Sequence, residues 1–130
     1  MASSPHRIMH DLYRGPKIIK DPGNGGTIRF DKDLSICEME SGASNETRTL
    51  ANPTKPGIRA VLRLKTDGGG DVAVTAANGL NVSLETTATF NDASDILDLV
   101  SVEYAAPVAG SPATYRWALV EGNTGVTISA

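Results

Sequence analysis

Apolar residues recur at every second position through much of this chain. In "IRAVLRLK" the residues Ile58, Ala60, Leu62 and Leu64 fall on one side, and Arg59, Val61, Arg63 and Lys65 on the other. A period of two predicts a half-buried strand, and the basic outer stripe predicts an antiparallel setting with one face in solvent. "DVAVTA" places Val72 and Val74 inward, and "TYRWALV" places Tyr115, Trp117 and Leu119 on one face. Shorter runs of the same kind are "TIRF", "LSICEM", "ETRTLA", "LNVSL", "TATF" and "VTISA". The long apolar run Ile96 to Tyr104 slips in its alternation between Leu99 and Val100, which predicts a bulge. About ten short strands in roughly a hundred residues predict an all-β fold, an antiparallel β-sandwich or jelly-roll-like body. The connections are too short for parallel βαβ units.

The links between these runs carry turn chemistry. "NPTKPG", Asn52 to Gly57, interrupts pairing, because each proline removes an amide donor and fixes φ. Gly68, Gly69 and Gly70 stand between two alternating runs, a pattern that predicts a hairpin turn using positive φ. A phosphate loop would need a following Lys and Ser or Thr and then a helix, and here a strand follows. The acids of a calcium-binding EF-hand are missing, and "GGGDVAV" matches a calcium-binding repeat only in part and in a single copy.

The first 26 residues differ from the rest. "SPHRIMHDLY" sets Ile8, Met9 and Leu12 roughly on one side after a Ser-Pro start, a short helical candidate. Residues 1–20 are read as an extended or partly helical arm, and "DPGNGG", Asp21 to Gly26, as a flexible hinge leading to a β-domain over 27–130. Charge divides at the same place. Arg7, Arg14, Lys17 and Lys20 against Asp11 give the arm +3, while eight basic and fourteen acidic residues give 21–130 a net −6. The total of −3 does not favour direct nucleic-acid binding.

Candidate chemistry is sparse. Cys37 is the only cysteine, so no intrachain disulfide can form, and it is read as a small packed residue. His6 and His10 have a spacing that can hold a metal on a helix, but no third ligand lies nearby. Asp92, Asp95 and Asp98 lie close in sequence to Glu103; the first two bracket a turn, and Asp98 points outward from its strand. No nucleophile elbow or triad can be assembled, and the reading is of a non-enzyme with no cofactor and no metal. Trp117 is read as a core anchor. No secretory leader or membrane span is visible, which leaves the sequons at Asn45 and Asn81 without force and points to synthesis in a reducing cytoplasm.

Four segments in order resemble a known group: "TRTLANPTKPG", "RLKTDGGGDVAVTAANGLN", "TATFNDASDILDLVSVEY" and "YRWALVEGNTGVTIS". Over residues 27–130 the chain resembles small β-rich structural proteins of tailed bacteriophages, most closely the head decoration, or cement, type. The resemblance implies a virion protein on the capsid surface, bound at junctions of the major capsid protein, often as a homotrimer. It brings no list of contact residues. From the arm's composition, the expected capsid contacts are Arg7, Ile8, Met9, Leu12, Tyr13, Arg14, Lys17, Ile18, Ile19 and Lys20. Arg59, Arg63 and Lys65 are a possible secondary interface. The same threonine-rich, glycine-turn pattern occurs in trimeric tail-fibre domains, which would bind a host receptor through loops such as Ala106 to Ala113. A carbohydrate-binding module using Trp117 and Tyr115 is a further alternative.

Overall fold

A computed structural model describes residues 17–80, 85–105, 113–120 and 124–130. All the regular elements among them are strands. In chain order these are β1 (Lys17–Ile19), β2 (Thr27–Ile28), β3 (Ser35–Glu40), β4 (Glu46–Leu50), β5 (Arg59–Thr66), β6 (Val72–Ala76), β7 (Thr87–Phe90), β8 (Ile96–Ala105), β9 (Thr114–Leu119) and β10 (Thr127–Ser129). They form two five-stranded sheets, ordered β1-β3-β5-β8-β9 and β10-β7-β6-β4-β2. The all-β sandwich expected from the alternation is the fold observed. The predicted strand at 80–84 falls largely outside the described residues.

The pairing is mixed, where alternation predicted antiparallel neighbours. β1, β3 and β5 run parallel, as do β2, β4 and β6. The first six strands alternate between the sheets, so each strand returns beside the strand two before it and in the same direction. The opposite sheet thus supplies the crossover that a helix supplies in a βαβ unit. From β7 onward the pairing is antiparallel: β7 on β6, β8 on β5, β9 on β8 and β10 on β7.

This winding overturns the hairpin reading of the three glycines. β5 and β6 lie in different sheets, and 67–71 is an arch that crosses between them. It stacks on the arch at 41–45, which joins β3 to β4. The Gly70 amide donates to Gly42 O at 2.9 Å, the Gly68 amide to Ser41 Oγ at 3.0 Å, and the Asp71 amide to Asn45 Oδ1 at 2.9 Å. A Cβ on Gly70 would stand 2.0 Å from Ser44 O, and one on Gly68 would stand 2.4 Å from Ser41 O. Close backbone approach therefore explains these two glycines; only Gly69 has positive φ, at 114°.

Inward residues of both sheets form one core around Ile28, Leu50, Leu62, Leu64, Phe90, Leu97 and Trp117. Trp117 is the anchor expected: its Nε1 donates to Ala51 O at 2.9 Å, and its ring meets Phe30 edge-on, with centroids 5.9 Å apart. On β8 the alternation does not slip at Val100. Leu97, Leu99 and Ser101 all point inward, and the register breaks instead between Glu103 and Ala105. Ser101 fits among apolar neighbours because its hydroxyl is used twice, donating to Lys55 O and accepting from the Ile58 amide, both at 2.8 Å.

Candidate partner-binding surfaces

Of the ten residues expected to contact a partner, Arg7, Ile8, Met9, Leu12, Tyr13 and Arg14 lie outside the described residues. So do His6 and His10. Lys17, Ile18 and Ile19 form β1, an edge strand on β3, and not a free tail. The alternation decides their roles: Ile19 packs on the core, and Ile18 is 67% exposed.

The segment read as a flexible hinge is tied to the body. Asp21 Oδ1 and Oδ2 accept from Arg48 Nε and Nη2 at 2.7 and 2.9 Å, a bidentate pair. Asp21 also accepts the amides of Gly23 at 3.1 Å and Glu40 at 2.9 Å. Arg48 sits on the inward face of β4, and its remaining donors reach Glu46 Oε1 at 3.0 Å and Glu40 O at 3.1 Å. Burial alone would raise the Asp21 pKa; the hydrogen bonds from Arg48 and the two amides outweigh it and hold the carboxyl below its ordinary value. Burial likewise pulls Arg48 down, and Asp21 and Glu46 more than restore it. The turn residues continue the tie: the Gly25 amide donates to Thr47 O at 2.7 Å, and the Thr47 amide to Asn24 Oδ1 at 3.0 Å.

The basic stripe of β5 is matched by carboxylates on its neighbours. Arg59 meets Asp98 of β8 at 3.4 Å, Arg63 meets Glu38 of β3, and Lys65 meets Glu40 at 4.0 Å. Three cations against three anions leave no net positive face there. The acidic cluster does not converge either. Asp95 Oδ2 accepts the amides of Asn91 and Asp92, both at 3.0 Å, closing the turn expected at that place, while Asp98 points outward to Arg59. Among the described residues no group of three His, Cys, Asp or Glu could hold a metal ion. Cys37 is fully buried, and burial, with Asp21 adding to it, pushes its thiol up to about 11. Trp117 is also fully buried, so it offers no stacking face to a sugar.

One surface was not anticipated from the sequence. On the outer face of the first sheet, Ile18, Ile36, Val61 and Asp98 stand in one row across four strands. Beside them lies an open groove of about 240 Å³, lined by Leu34, Ser35, Ile36, Arg59, Val61 and Asp98. Leu34 is 59% exposed, at φ 56°, a left-handed backbone that a bulky residue rarely adopts. The available signal was the apolar residues at outward positions, Ile36 and Val61; without pairing partners they could not be placed side by side. The outer face of the second sheet is different: Ser129, Thr87, Thr75, Thr49 and Thr27 align in one uncharged row.

No protein-family model matches the chain, and no curated protein matches it. Among the described residues no helix is long and apolar enough to cross a membrane.

Proposed function

We propose that this chain is a structural virion protein that decorates a tailed-phage capsid at junctions of the major capsid protein, with residues 1–16 as the reaching arm. The observation that carries the reading is the way the arm's root joins the body. A basic, apolar-studded segment leads into β1, and four residues later Asp21 is clamped to the buried Arg48. A tether that holds two shell subunits together needs a root that does not peel, and a bidentate ion pair with ladder hydrogen bonds on β3 supplies one. Binding at several equivalent junctions by a homotrimer would multiply the gain without new contacts. The order of strands and turns that resembles cement proteins supports the same reading.

The test is co-sedimentation of the full-length protein with expanded heads of the phage that encodes it. Arg7→Glu/Arg14→Glu and Ile8→Asp/Leu12→Asp should lose shell binding while the β-body stays folded. Light scattering on the parent should give a trimer. Normal saturation of shells by both variants would reject the arm as the contact. Binding to host cells and not to shells would select the tail-fibre alternative.

A further inference from the structure

The groove on the outer face of the first sheet has a size and a position that name its occupant. At about 240 Å³ it is smaller than the roughly 300–1,000 Å³ of sites that enclose a small-molecule ligand. It has room for one or two apolar side chains. Its floor is Ile36 and Val61, one wall is Leu34, and the other is the Arg59–Asp98 ion pair. Leu34 is turned outward by a left-handed backbone, and such strain is kept where it serves contact more than folding.

The chain outside the described residues ends at this groove. Lys17 is the first residue of β1, and its amide donates to Leu34 O at 2.7 Å, so the described chain begins beside the Leu34 wall. The sequence before Lys17 is Gly15–Pro16, a dipeptide of the kind that marks turns. Leu12 and Tyr13 are five and four residues before Lys17, a reach of at most about 18 Å at ~3.6 Å per residue. Closing so short a loop costs less entropy than bringing in a distant segment. Arg14 would meet the exposed Asp33, which already accepts the Arg59 amide at the groove's rim.

We propose that this groove is the seat of the chain's own N-terminal segment, filled by Leu12 and Tyr13 in the free protein. The arm's apolar residues are then covered until a partner competes for them. The proposal does not depend on the partner's being a capsid.

The test uses full-length protein with a nitroxide at His10→Cys, a polar position next to the proposed contacts. The native thiol, Cys37, is buried and held protonated, so the label goes to the new site. In isotope-labelled protein carrying the nitroxide, the amides of Ile36 and Val61 should lose most of their peak height. In a dilute mixture of isotope-labelled unmodified protein with unlabelled nitroxide protein, they should keep it. Leu34→Asn preserves the turn, since Asn tolerates positive φ, and should restore the peaks in the singly prepared sample. Unbroadened peaks in that sample would overturn the proposal. So would broadening that survives Leu34→Asn. Equal broadening in the mixture would overturn it in favour of a second copy's arm.

Discussion

Arg48 and Gly70 are the residues on which the stacked arches depend, and each fails differently when replaced. Gly70→Ala would drive a Cβ into backbone at Ser44, which cannot turn aside as a side chain could. We expect a loss of about 3 kcal/mol or more, at or above the usual range for overpacking. Gly25→Ala has open space around it and only an unfavourable φ of 78°, so about 1–2 kcal/mol is expected. Urea titration of the two variants checks the order. At Arg48 the partners are unequal. Asp21→Ala leaves a guanidinium with no solvent exposure short of its main counter-ion, whereas Arg48→Met leaves carboxylates that keep 16% exposure and can rehydrate. Asp21→Ala should therefore cost about 3–5 kcal/mol and Arg48→Met clearly less, since a buried pair replaced by apolar volume is often nearly neutral. Equal losses in denaturant titrations would show that the pair is not effectively buried.

At the scale of elements, the boundary of the arm moves. Composition put residues 1–20 together, but Lys17–Ile19 belongs to the sheet, because Ile18 and Ile19 alternate like any strand and β3 offers a free edge. A protein starting at residue 17 should lose about 1 kcal/mol or less in urea stability, the part that covering the groove with Leu12 and Tyr13 contributes. One starting at residue 21 should lose about 2 kcal/mol, from uncovering Ile19 and part of the β3 edge. If both truncations were equally stable, β1 would contribute nothing to the body. The arches show a further regularity. Asn24 accepts the amide of Thr47, Asn45 that of Asp71 and Asn52 that of Asn78, so each winding of the chain holds the next through an asparagine side chain. These asparagines read in sequence only as turn residues.

For the whole molecule, the net charge of −3 is less telling than where the charges are neutralised. The Asp21 carboxyl is held below its ordinary value, so it contributes stability above the pKa it has when unfolded. That stability is lost as the pH falls through the depressed folded value. Melting temperature should be flat from neutral pH down to about 4, near the ordinary pKa of an aspartate, and fall below it. In Asp21→Asn that acid fall should be shallower. Parallel acid limbs in the two proteins would remove Asp21 from the account.

Alternation by itself determined that this chain is all-β, which faces of β5, β6 and β9 point inward, and that Trp117 anchors the core. Those are local properties: a period of two and a bulky aromatic need no knowledge of neighbours. It misread the glycine link and the direction of pairing, because a period of two is the same for parallel and antiparallel strands. Ser101 looked like a slip because its two partners, Lys55 O and the Ile58 amide, are more than forty residues away. Arg48 was not singled out: alternation sets it on the same face as Leu50, but its partner Asp21 lies 27 residues away and only the fold brings the two together. The groove between Leu34 and Asp98 also belongs to the tertiary structure alone. It exists only because three strands distant in the chain set Ile36, Val61 and Asp98 in register, and register is decided by long-range packing.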